Sequence, residues 1–298
     1  MTSYLIAHYH LPGLFEFYEF YREFLPLYRD HREYFYDWCD IGSIYGAPEG
    51  CIWGGGRMGV GDQCAEDVLA LMDEFGISPR LTFSNSLLQQ EHLSDRKCNE
   101  LCELFEKHGG GVIVHSDLLL EHIRATYPKL YLVSSTTKVQ TSWDEFYSEV
   151  NRGEFSYVVP DFRINVMREK LGAMSPSNKE KVEFLCNECC YFGCTNRREC
   201  YENVSRKTLG QDCPDHICAA PDSQYGYRFF KAMSNPGFIG VNDIRDIFIP
   251  MGFTNFKIEG RGLGSALILE FILHYMVKPE YQIAVREEMY LDNMLDLF

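Results

Sequence analysis

Short apolar, β-branched runs alternate along this chain with stretches of helical periodicity, and a polar residue closes nearly every apolar run. The apolar runs are SYLIAHY (3–9), DIGSIYG (40–46), RLTFSN (80–85), GVIVHS (111–116), LYLVSS (130–135), SYVVPD (156–161), VEFLCNE (182–188) and NFKIEG (255–260). Helical stretches begin near Leu14, Asp62, Ser94, Asp117, Ser142, Asp161, Asn196 and Gly262. Ser94, Asp117 and Ser142 each precede an amphipathic stretch, where a side-chain oxygen can accept from a first-turn N–H.

Eight strand–helix units in one chain predict a single (β/α)8 barrel spanning residues 1–298, with an open doubly wound sheet as the alternative if one strand is misread. The polar tips agree with a barrel: His8 and His10, Tyr45, Ser84 and Asn85, His115 and Asp117, Ser134 and Ser135, Asp161, Asn187 and Glu188, Glu259 and Arg261 close the runs. In a barrel these ends converge on one face, where active sites lie. A single polar tip is more often a helix cap than a catalyst. Two insertions break the rhythm. One is the glycine-rich GAPEGCIWGGGRMGVGD (46–62), and the other is about fifty residues ahead of the eighth strand, around DCPDHIC (212–218), long enough to carry a function.

Charge and composition narrow the partners. Hydrophobic residues make up 46% and charged residues 24%, which suits a globular core. The formal net charge of -15 argues against bulk nucleic-acid binding, which needs clustered Lys and Arg. No run is long and apolar enough to span a bilayer, and MTSYLIAHYH lacks the basic start and apolar core of a signal peptide. A cytoplasmic protein is therefore expected, in which clustered cysteines mean metal or redox chemistry more often than disulfides.

The chain has 12 cysteines. Cys39, Cys51, Cys64, Cys98 and Cys102 are scattered and read as small buried hydrophobes, and Cys186 reads as part of the seventh strand. Cys189, Cys190 and Cys194 follow that strand, on the catalytic face. Cys190 and Cys194 form one close pair, and Cys213 and Cys218 another, so four thiolates could serve one iron–sulfur cluster or one zinc ion. The spacing favours the cluster, because structural zinc prefers C-x2-C knuckles. Absence of any metal stays open, and nucleophilic or dithiol cysteine chemistry accounts for fewer of these residues.

Three stretches carry a resemblance. "NFKIEGRG" before an apolar helix, "CNECCYFGCTNRRECYE" and "WGGGR" (53–57) resemble motifs of the collagenase-like (U-thirty-two) peptidase family and its distant branches. The resemblance covers most of the chain as an order of motifs. It implies a barrel and a 4Fe-4S cluster, with Cys190 and Cys194 as the first two ligands, Cys213 and Cys218 as the others, and Cys200 in reserve. It also implies oxygen-independent hydroxylase-type chemistry, since better-understood relatives resemble hydroxylases of RNA bases or aromatic quinone precursors. The acidic charge, and a chain ending soon after KIEGR, argue against RNA here.

Around such a cluster, Glu188, His115 and Glu259 are the candidate catalytic groups, and Arg57, Arg261 and Asn85 the candidate substrate-binding groups. Lys257, Glu259 and Arg261 alternate along the eighth strand, so they share a face, and Arg261 could clamp a carboxylate. A structural ion-pair network accounts for the same alternation. WGGGRMGVG lacks the GK[ST] of a phosphate loop, so Arg57 would bind an anion through its glycine backbone or sit in a plain surface loop. His8, His10 and His115 could form a metal site, although satisfied core histidines are commoner. The aromatic run at 15–38 has helical spacing and reads as a packed outer helix, with a partner protein as the second use. The expected function is an iron–sulfur oxidoreductase, hydroxylase-like, acting on a small aromatic or anionic molecule at the barrel mouth. A non-catalytic cluster-bearing electron carrier and a peptidase are the alternatives.

Overall fold

The computed structural model describes residues 6–55, 61–221, 223–260 and 262–294, with side chains to residue 290. Eight strands form one sheet: β1 (Ala7–Pro12), β2 (Cys39–Gly46), β3 (Ser78–Phe83), β4 (Gly111–Val114), β5 (Tyr131–Ser134), β6 (Tyr157–Val158), β7 (Glu183–Leu185) and β8 (Asn255–Lys257). Their order is β6-β5-β4-β3-β2-β1-β8-β7, and every pairing is parallel. One parallel bridge between Val158 and Val182 joins the two edges, so the sheet curls into a nearly closed barrel.

Helices separate the strands. In order they are α1 (Tyr18–Asp30), α2 (Ala65–Phe75), α3 (Arg96–Lys107), α4 (Asp117–Thr126), α5 (Trp143–Asn151), the short α6 (Arg168–Gly172) and α7 (Pro176–Lys179), and α8 (Arg197–Thr208). After them come α9 (Phe229–Met233), α10 (Val241–Asp243), α11 (Ser265–Tyr275) and α12 (Gln282–Met294). Ser142 caps α5 in a box with Glu145, as the sequence suggests. Two other caps shift by one residue, to Asp95 for α3 and Ser116 for α4, because those side chains reach the third N–H. Of the scattered cysteines, Cys64 departs from expectation: it precedes α2 at an exposed position, where no apolar neighbour encloses it. The aromatic α1 turns Phe20, Tyr21, Phe24, Leu25 and Leu27 into the core, as its helical spacing predicts. No helix among the described residues is long and apolar enough to cross a membrane.

Strand alternation places two sets of residues. The outward set (Tyr9, Leu81, Val112, Leu132, Phe184, Phe256) packs against the helices. The inward set fills the barrel in layers. Tyr45, Ile113, Val133, Val159 and Leu185 make its upper apolar layer. Below lies a charged layer. Glu183 pairs with Arg80 and with Lys257 (3.0 Å), and stands 3.6 Å from His10 Nε2. Arg80 also donates to the Tyr131 hydroxyl (2.8 Å), and its guanidinium lies over the Tyr157 ring. His10 thus sits within β1 and inside the barrel, not at a strand tip, because β1 runs on to Pro12. It meets the Ser43 hydroxyl at 2.8 Å and the Asn255 side chain at 3.3 Å.

Candidate functional site

The strand C-terminal ends form one face, and α8 lies across it. Ser205 on α8 meets Ser86 after β3: its hydroxyl accepts from the Ser86 N–H at 3.1 Å. The Asn85 amide donates to the Ser205 carbonyl (3.2 Å) and to the Ile52 carbonyl (3.0 Å), tying together α8, β3 and the glycine-rich loop. That loop is no loose flap over 51–55. Trp53 is fully buried with its Nε1 on the His92 carbonyl (2.7 Å), and a Cβ at Gly55 would stand 2.4 Å from the Ser84 carbonyl oxygen. Asn85 is accordingly a brace for the covering helix.

Tyr201, on the underside of α8, borders three cavities at once. The first, of about 70 Å³, is the barrel mouth proper, floored by Lys257 and Glu259 and walled by Tyr45, Thr82, Ser84 and Thr137. Thr82 Oγ1 is buried there without a protein hydrogen-bond partner. The second, of about 340 Å³, holds His115, Lys138, Arg198 and Glu202. Burial, then Lys138 and Arg198, push the His115 imidazole down to about 4, so it is neutral near pH 7, with Nδ1 2.9 Å from the Thr137 hydroxyl. Glu259 does share the barrel-facing side with Lys257, as strand alternation predicts.

The third cavity, of about 740 Å³, collects thiols. Cys189, Cys190, Cys194, Cys200 and Cys218 line it, together with Arg197, Arg228 and Lys231. No carboxylate lines it among the described residues, on a chain of net charge -15. Cys213 stands outside, its Sγ accepting from Asn203 at 3.6 Å. Cys186 is buried in the core, as its strand position implies.

Beneath the thiols lies a buried polar knot that the sequence reading missed. Arg197 donates to Glu188 (2.6 Å) and to the Tyr201 hydroxyl (2.9 Å), and its Nη1 stands 3.7 Å from Asp161. Arg197 Nε is buried without a hydrogen-bond partner. Glu188, expected as a catalytic group, is held by Arg197 and also receives the Cys190 N–H at 2.9 Å. Arg163 holds the loop from the other side, through the carbonyls of Phe192 (2.8 Å) and Cys194. The residues of the knot stand in two stretches the sequence reading quoted, Glu188 at the end of VEFLCNE and Arg197 in NRREC at the start of α8.

Donor geometry bears on which metal group would suit these residues. Glu188, Cys189 and Glu259 place one ligand atom each within 4.8 Å of one another, with the Cys189 thiol 3.7 Å from Glu259. Among the described residues no three of the cavity thiols gather that closely. A tetrahedral zinc ion with 2.3 Å bonds would hold its thiolates about 3.8 Å apart. A cubane cluster spreads four thiolates wider. The cavity thiols share their wall with Arg197, Arg228 and Lys231. The histidines His8, His10 and His115 join no such group among the described residues. Arg57 and Arg261, expected to bind substrate, lie outside the described residues.

Comparison with known proteins agrees on architecture. No protein-family model matches the chain, and no curated protein matches it at a significant level. One solved structure, described as that of the U32 peptidase Mk0906, is similar over 87% of this chain and 94% of its own, with a TM-score of 0.53 and 14% identity. At that identity the likeness is one of fold.

Proposed function

We propose that this chain is an iron–sulfur protein whose 4Fe-4S cluster would be held by Cys190, Cys194, Cys200 and Cys218, and that it serves an oxidoreductase, hydroxylase-like reaction on a small molecule. The single observation that carries the reading is the thiol-lined cavity with Arg197, Arg228 and Lys231 in its wall and no carboxylate among its described lining residues. A cluster with four thiolate ligands is anionic, and cations around it in a partly dry site favour it. Cys200 takes the place of Cys213 because it borders that cavity and Cys213 does not. When bound, the cluster supplies one-electron redox chemistry.

The chain's own groups would do the rest. Arg197, fixed by Glu188, presents positive charge beneath the thiol loop. Tyr201 separates the thiol cavity from the barrel mouth, so it would exclude water from a molecule held over Lys257 and Glu259. Neutral His115 would offer an uncharged imidazole for hydrogen bonding on the far side of Tyr201. The similarity of fold to a U32 peptidase is compatible with this reading.

A second reading, thiol-dependent hydrolysis, is favoured by the convergence of Cys189 with Glu188 and Glu259. It is the weaker one, because no histidine joins them among the described residues and Glu188 is already paired with Arg197. Anaerobic purification separates the two. Iron and sulfide near four per chain, with broad absorbance near ~400 nm, is expected of a four-thiolate cluster. Metal-free protein that cleaves peptides and loses this on Cys189→Ser would overturn the iron–sulfur reading.

A further inference from the structure

The segments that flank the thiol-cavity lining differ from the rest of the surface: Tyr191 lines the cavity, and Ile217, Tyr225, Phe230 and Met233 each adjoin or lie within two residues of a lining residue. Among the described residues, five of the eight exposed large hydrophobics (Tyr191, Ile217, Tyr225, Phe230 and Met233) fall between 191 and 233, with Ile217 87% and Phe230 68% exposed. Arg228 and Lys231 stand among them, and Lys231 lies 5.0 Å from the centre of the Tyr225 ring. The neighbouring Asp215 is held by Lys207. Exposed apolar side chains interleaved with cations, on a body of net charge -15, are the profile of a contact surface for an acidic protein.

We propose that this flanking surface is the docking surface for a small acidic one-electron carrier protein of flavodoxin or ferredoxin type, an inference that rests on the iron–sulfur reading above. The thiols of Cys190, Cys194, Cys200 and Cys218 line the cavity that it flanks, which places a docked carrier next to them. One electron would leave the reduced carrier and enter the cluster, with no bond made or broken. A second copy of this chain suits the surface poorly, since a twofold contact would set Arg228 and Lys231 against their own counterparts. RNA suits it poorly as well, because two cations cannot offset an acidic body against a phosphate backbone. Transient redox encounters use contacts of this limited kind.

The test uses the full chain, loaded with iron and sulfide, titrated by calorimetry with a flavodoxin and with a plant-type ferredoxin. Micromolar binding that weakens about tenfold between about 0.02 M and about 0.2 M salt is expected for a charge-steered contact. The variants Phe230→Ser and Met233→Ser should each weaken it about tenfold with iron content and absorbance unchanged. The inference is overturned if neither carrier binds iron-loaded protein, or if the variants bind like the parent chain. It is equally overturned if a single-stranded oligonucleotide displaces the carrier, or if Phe230→Ser acts only by abolishing self-association in sedimentation. Protein that takes up no iron overturns the iron–sulfur reading itself, and the two failures are thereby told apart.

Discussion

Arg80 and Glu183 meet inside the barrel from strands β3 and β7, which stand four places apart whichever way the ring of strands is followed. Both side chains are closed to solvent. Burial alone would raise the Glu183 carboxyl, but Arg80, with His10 and Lys257, outweighs it and holds the group well below the usual carboxylate range. Glu183→Gln would leave Arg80 and Lys257 facing each other without that carboxylate. It should cost about 3–5 kcal/mol in urea unfolding, the range for breaking a buried ion pair from one side. Lys257→Met should cost less, because Glu183 keeps Arg80.

Acid should unfold this protein early, and His10 gives the reason. Burial first, then Arg80, push its imidazole from 6.5 to about 3. The unfolded chain therefore takes up this proton below pH 6.5, whereas the folded chain resists until about pH 3. The stability concerned is complete above pH 6.5 and drains away as the pH falls toward 3, at up to about 1.4 kcal/mol per pH unit. Urea midpoints measured from pH 7 to pH 4 should fall steadily, and His10→Gln should flatten that slope. A slope unchanged in the variant would contradict the assignment.

The cavity wall separates two neighbouring cysteines by role. Cys200→Ser should lower bound iron sharply, whereas Cys213→Ser and Cys98→Ser should leave it near the parent value, read by iron and sulfide assay after anaerobic purification. Equal loss from Cys200→Ser and Cys213→Ser would move the fourth ligand back to the DCPDHIC stretch.

Asn85→Ala should loosen the cover over the mouth. The variant strands the carbonyls of Ile52 and Ser205 and costs about 1–3 kcal/mol. Hydrogen exchange should speed up in α8 and at Trp53 while β3 and β4 stay protected. Uniform loss of protection would mean that Asn85 supports the whole barrel instead.

The strands were legible because their apolar, β-branched runs alternate in phase with the sheet, and KIEG in particular announced that Lys257 and Glu259 share a face. Glu183 was harder to read. It sits in the apolar run VEFLC, and only its phase with Leu185 and Asn187 marks it as inward. Its partners Arg80 and Lys257 lie far away in sequence, so no local spacing betrays the layer they form. His8 and His10 were misplaced at a tip because the apolar run was ended at Tyr9, while the β1–β2 pairing carries the strand on to Pro12. The cysteine-rich stretch was legible as composition. Which thiols share a wall depends on how the chain between Cys200 and Cys218 returns, and residue spacing does not encode that path.

The bridge between Val158 and Val182, the one strand pairing across the β6–β7 seam among the described residues, makes the barrel resemble a buttoned cuff. The stitching across that seam sits above the sheet: Arg163, just past β6, grips the loop that follows β7 through the Phe192 and Cys194 carbonyls. The thiol loop is therefore a clasp as well as a cavity wall. Anything that stiffens or slackens it would be felt mechanically as a change in how tightly the whole cylinder is drawn shut.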